Sequence, residues 1–122
     1  MYIKTYKDLL VWQKSMDLVK ELYKLTAQFP EDEKFGLKSQ MERASVSIVS
    51  QIAEGHMRKH RKEYVHFLSI SLGSAAELET QILVCKSLDK FNDINFSKIE
   101  LLLEEILKML YVMIRRLDQL TP

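Results

Sequence analysis

The sequence predicts an all-α protein, an antiparallel up-down-up-down four-helix bundle in one domain spanning residues 1–122. Three observations predict it. Glycine (3) and proline (2) are scarce, which leaves too few tight turns for a β-sandwich or barrel. Turn-forming residues gather in three short stretches, 29–36, 55–61 and 89–95. Between them lie four segments of helical apolar period, near 7–28, 38–54, 62–88 and 96–120. Helices joined by links this short lie antiparallel to their neighbours.

The first helix carries Leu9, Trp12, Met16, Val19 and Tyr23 on one stripe, with Val11, Leu18, Leu22, Leu25 and Phe29 beside it. That face is broader than a two-stranded coiled coil needs. Pro30 stops it, because its ring disfavours helical backbone at Phe29 and it has no N–H to donate. The second helix is expected to close at Gly55 as a left-handed cap. The third opens at His60-Arg61-Lys62-Glu63, where Glu63 takes the N3 place of a capping box but His60 replaces the usual Ser or Thr. The fourth has two candidate caps, Asn95 and Ser97, and Ser97-Lys98-Ile99-Glu100 reads as a capping box.

Composition excludes several classes. With 47% hydrophobic and 29% charged residues, the chain is too apolar for a disordered protein. Its single cysteine, Cys85, excludes an internal disulfide and fits a reducing compartment. There is no run of 18 apolar residues, and residues 1–8 hold no signal-peptide core, so a soluble cytoplasmic protein without a membrane partner is expected. Eighteen Lys/Arg against 17 Asp/Glu give a net charge of +1, so only a local gathering of charge points to nucleic acid.

The fourth helix is richer in apolar residues than one buried stripe requires. From Ile94 to Leu120, 16 of 27 residues are apolar, and Met109–Ile114 is unbroken. A helix apolar all round is covered on every side. Met109, Tyr111, Val112 and Met113 are therefore candidates for contact with another copy of the chain, scattered surface side chains being the alternative. In the second helix Gln40, Arg43, Ser47, Gln51 and Glu54 share one arc, and in the third Glu63, His66, Ser74, Glu77 and Gln81 do. Ser69, Gly73, Ala76 and Thr80 form a further stripe of small residues. Gly73 inside a helix costs ~1 kcal/mol relative to Ala. Close approach of a neighbouring backbone, from this chain or another, would offset that, so Gly73 and Ala76 join the candidate interface. An antiparallel hairpin brings Arg43 within about a turn of Glu77, so either an ion pair or two solvated charges is expected there.

Antiparallel order also gathers Lys4, Lys7, Arg58, Lys59, Arg61, Lys62, Arg115 and Arg116 at one pole. These eight are the candidate phosphate contacts, without sequence readout. The alternative is a solvated loop, with Arg115 and Arg116 favouring a helix C-terminus. No aromatic residues interleave the basic loop, so base stacking is not expected. Signatures of chemistry are missing. His60, Glu63 and His66 lack a fourth ligand and an HExxH pattern, and no nucleophile elbow or phosphate-cradling loop is present. Neither an enzyme, a metal centre nor a cofactor is expected.

Several motifs match a known pattern: Tyr6-Lys7-Asp8-Leu9-Leu10-Val11-Trp12-Gln13-Lys14, Phe29-Pro30 with Glu33, Gly36-Leu37, Gln40 and Arg43-Ala44, then Ser47-Ile48, Ser50-Gln51-Ile52-Ala53-Glu54-Gly55, Glu63-Tyr64, Phe67-Leu68, Gly73-Ser74 and Glu77-Leu78. They resemble the four-helix proteins encoded in intervening sequences of bacterial 23S ribosomal RNA genes. They also resemble the accessory variability determinants of diversity-generating retroelements. The resemblance implies an antiparallel bundle assembled as a homopentameric ring. For the retroelement relatives it implies a basic surface that binds nucleic acid and a reverse transcriptase. Gln51 stands where those families have Asn, His60 where a capping Ser is usual, and the near-neutral charge departs from strongly basic relatives. The expectation is a non-enzymatic homo-oligomer that binds RNA or DNA through the basic pole. The alternative is an interaction scaffold that recruits an acidic protein there, as an accessory to a reverse transcriptase would.

Overall fold

The computed structural model describes residues 2–120. The described residues hold four α-helices and no strand: α1 (Leu10–Thr26), α2 (Leu37–His56), α3 (Arg61–Lys86) and α4 (Ser97–Gln119). Short 3-10 turns at Tyr6–Asp8, Glu31–Glu33 and Asp89–Phe91 precede α1, α2 and α4. Each helix turns an apolar stripe inward. Leu18 and Leu22 of α1, Met41, Ile48 and Ile52 of α2, Leu68, Leu78 and Ile82 of α3, and Ile99, Leu103 and Ile106 of α4 are fully buried in one core. Helix α2 packs on α1 and α3, and α4 packs on α3 and α1. Along the α2–α3 contact, Met41 Sδ lies 3.8 Å from the Cys85 thiol, the Ser47 and Ser74 hydroxyls are 2.9 Å apart, and Ser71 donates to the Ile48 carbonyl at 2.8 Å. Residue numbers thus rise along α2 as they fall along α3.

The helix ends differ from expectation in three places. The first helix starts at Leu10 rather than near residue 7, because Leu9 is extended (φ −72°, ψ 128°). The preceding turn is closed by a capping box not foreseen from the sequence, in which Thr5 Oγ1 accepts from Lys7 N and Asp8 Oδ2 from Thr5 N, both at 3.2 Å. Gly55 is not a left-handed cap. No described residue has a positive φ, and α2 runs on to His56, closed by the Met57 N–H on the Ala53 and Gly55 carbonyls. Gly55 is instead a close-packing position, since a Cβ there would meet Phe67 Cβ at 2.8 Å and the Tyr64 carbonyl at 3.2 Å. The Ser97 capping box does not form either. Phe96 is the N-cap residue with helical backbone, and Ser97, already the first helical residue, gives its N–H to Asn95 Oδ1 at 2.9 Å. Glu100 pairs with Lys86 at 3.1 Å instead.

One end of the molecule is closed by aromatic and ionic contacts. The Phe29 ring meets Phe91 edge-on at 4.9 Å and Phe96 at 6.5 Å. Lys90 ties the two connections together by reaching Asp32 (2.9 Å) and Glu33 (2.8 Å), while Glu33 Oε1 accepts from the Leu37 N–H at the start of α2. The Lys90 ammonium, and then that N–H, hold the Glu33 carboxyl below its usual range. Glu33, followed by Asp32, raises Lys90 in turn.

Candidate nucleic-acid interface

At the other end the start of α1, the α2–α3 turn and the end of α4 come together. Leu9 and Leu10 share a groove with Met113 and Arg116, and Arg61 donates to the Leu120 carbonyl at 2.6 Å. All eight candidate cations are exposed there. They are not equivalent. Arg58 pairs with Glu54 at 2.8 Å and approaches Glu63 at 3.8 Å, and its guanidinium lies 4.7 Å from the centre of the Phe67 ring. It clamps the turn between α2 and α3. Arg61 serves the end of α4, and Arg115 lies over Tyr111 at 5.8 Å. The side-chain charges of Lys4, Lys7, Lys59, Lys62, Arg115 and Arg116 have no carboxylate partner among the described residues, although the Lys4 backbone N–H donates to Asp8 Oδ2 at 2.9 Å.

Elsewhere the pattern is the reverse. Of the ten remaining Lys/Arg residues, seven are ion-paired: Lys14, Lys24, Lys38, Lys86, Lys90, Lys98 and Lys108. Among the described residues Arg58 is the one paired cation of the pole's eight. Unpaired cations at one end leave a positive field that a polyanion can meet without first breaking ion pairs. The i, i+4 spacing of Glu54 and Arg58 was the one signal in the sequence that set Arg58 apart; Glu63 and Phe67 reach it only because α2 turns back into α3.

The interface candidates fall into two groups. Tyr111, Val112, Gly73 and Ala76 are exposed, whereas Met109 and Met113 are half-buried and pack against the chain's own core. Met109, Val112 and Met113 join Leu9, Leu10 and Val11 around an apolar groove of about 470 Å³, rimmed by Lys108 and Arg116. Outside its own stretch of α3, no atom lies within 4 Å of a Cβ built on Gly73, so within this chain no neighbouring element offsets that glycine. Arg43 and Glu77 line one polar groove but form no ion pair, because the side chains meeting across it are Ser47 and Ser74.

The histidines are spread out. The His56 ring lies edge-on to Tyr64, whose phenol burial pushes above its ordinary range, and His66 packs on Phe67. No group of three or more His, Cys, Asp or Glu among the described residues is placed to hold a metal ion. Cys85 is buried, and that burial pushes its thiol up to about 11, with the Glu33 charge adding to the effect. No helix among the described residues is long and apolar enough to cross a membrane.

Four helices around one apolar core, with unpaired cations gathered at one end, define an all-helical protein with a basic pole. Residues 7–112 match the family described as 23S rRNA-intervening sequence protein, and the chain belongs to that family. Comparison with curated proteins gives no match.

Proposed function

We propose that this chain is the non-enzymatic subunit of a cytoplasmic homo-oligomer that associates with nucleic acid, RNA of a ribosomal intervening sequence foremost, through its basic pole. The observation that carries this reading is the contrast in pairing: the pole's cations stand almost entirely without carboxylates, while most cations elsewhere have them. The family supplies the RNA context through its description alone. The subunit is taken as an antiparallel up-down-up-down bundle, which the opposed numbering along α2 and α3 supports. Exposed Leu101 (63%), Tyr111 and Val112 on α4 support assembly with further copies, and the resemblance points to five.

Filter retention of a 23S intervening-sequence transcript tests the nucleic-acid reading. Log affinity should fall linearly with log salt, and Lys59→Ala with Lys62→Ala should reduce the slope by about one for each phosphate that is no longer neutralised. Retention unchanged by Lys59→Ala/Lys62→Ala/Arg115→Ala/Arg116→Ala would end this reading. A second reading, recruitment of an acidic protein, is favoured by the apolar groove between α1 and α4 with Lys108 and Arg116 at its rim. An acidic amphipathic segment matches its apolar walls and the unpaired Arg116 at its rim, Lys108 being held by Glu104. Leu10→Glu, on the α1 wall of the groove, should then abolish protein capture and leave RNA retention intact.

A further inference from the structure

The polar groove between α2 and α3 has groups left over. Gln40, Arg43 and Ser47 face Ser74, Glu77 and Gln81 across about 280 Å³. The two serine hydroxyls satisfy one another. Arg43 and Glu77 are exposed and find no ion-pair or hydrogen-bond partner among the described residues, and neither does Gln81 Oε1, although the Gln81 residue is only 9% exposed. A buried acceptor without a donor is destabilising and calls for a group that supplies one. Glu77 and Gln81 are one helical turn apart, so a single donor-rich group can reach both. A guanidinium suits that position, with five N–H donors in a planar fork and a fixed positive charge. The chain's own Arg43 lines this groove and satisfies neither.

The surface beside the groove admits a close neighbour. Ser69, Gly73, Ala76 and Thr80 are exposed and uncharged along α3, and the space over Gly73 is open. Since the groove carries one cation and one anion, its charges complement those of a second copy. A phosphate is disfavoured there by the Glu77 carboxylate.

Resting on the homo-oligomer reading above, we propose that this groove receives the Arg43 guanidinium of a second copy of the chain, which pairs with Glu77 and donates to Gln81 Oε1. Helix α3 then meets its neighbour along Gly73 and Ala76, and the open space over the glycine is where the partner backbone comes close.

Sedimentation velocity and tagged capture of the full chain test this. Arg43→Glu and Glu77→Arg should each weaken self-association by about tenfold or more, the range expected when a close charge pair is removed. A tagged R43E chain should capture untagged E77R and not R43E. Gly73→Leu, whose Cβ enters open space in the isolated subunit, should weaken association while leaving the helical circular-dichroism spectrum unchanged. If the R43E/E77R double variant recovers association and the mixture of single variants does not, the pair lies within one chain and the proposal is overturned. If R43E and E77R associate as the unmodified chain does, the proposal falls and the homo-oligomer reading stands. If the unmodified chain stays at 14.4 kDa at every concentration, both fall.

Discussion

Gly55 of α2 lies close under Phe67 of α3: a Cβ added to Gly55 would stand 2.8 Å from Phe67 Cβ. The obstacle is the root of a side chain, with the Tyr64 carbonyl behind it, so it has no flexible end to swing away. Gly55→Ala gains ~1 kcal/mol of helix propensity but incurs overpacking of typically about 1–3 kcal/mol. The expected result is a net loss of stability of up to about 2 kcal/mol, read from urea denaturation at fixed protein concentration. An unchanged midpoint would mean that the two helices separate without cost.

Gly73→Ala should do the opposite. It lies in the interior of α3, and an added Cβ meets nothing within 4 Å. The subunit should gain up to ~1 kcal/mol, the propensity difference alone. Urea denaturation below the concentration of self-association reads that gain free of partner effects.

The Lys90 clasp predicts a pH dependence. Glu33 titrates lower in the folded chain than in the unfolded one, so its contribution is fully present above the ordinary carboxylate range. It is lost as pH falls through the folded value. Lys90 is raised, so its contribution is present at neutral pH and fades only as pH rises beyond the ordinary lysine range. Melting temperature should hold steady from pH 7 to about 5 and fall below about 4.5, the ordinary value of a glutamate. Glu33→Gln should melt lower at pH 7 and show a shallower acid limb. An identical acid limb would exclude Glu33 as a contributor.

Cys85 should resist thiol reagents. Its sulfur is buried beside Met41 and its pKa is about 11, so little thiolate exists at pH 8. Reaction with a disulfide reagent should be slow in the native chain and fast in denaturant. Rapid native labelling would show that the α2–α3 contact opens locally.

Arg58 and Lys59 should separate structure from binding. Arg58→Ala removes the stack on Phe67 and the pair with Glu54, costing about 0.5–1 kcal/mol of stability at this exposed site. Lys59→Ala should leave stability alone and weaken RNA retention. Equal effects of both on RNA retention, with no change in melting, would place Arg58 among the phosphate contacts.

The elements and the pole were legible in the sequence to different depths. Periodicity located four helices to within a few residues, because burying one face of a helix leaves a record every three to four positions. Helix ends were less legible. Thr5 and Asp8 form a capping box that the periodic pattern does not announce, Ser97 forms none, and Gly55 reads as a cap by composition although its place is set by Phe67 on the next helix. Cap geometry depends on backbone angles, whereas a glycine's role depends on what stands opposite it.

By itself the sequence determined that the chain is helical, how many helices it forms, which faces are apolar, and that its cations cluster near the chain's start, one turn and its end. Only tertiary structure decided which cations are bound up and which remain. Arg58 is held by Glu54, Glu63 and Phe67, and Arg43 is left without Glu77. The physical reason is range: burial and the i, i+4 pairs such as Glu54–Arg58 are recorded along one stretch of chain, while Phe67 reaches Arg58, and Glu77 misses Arg43, at distances that the packing of α2 on α3 sets.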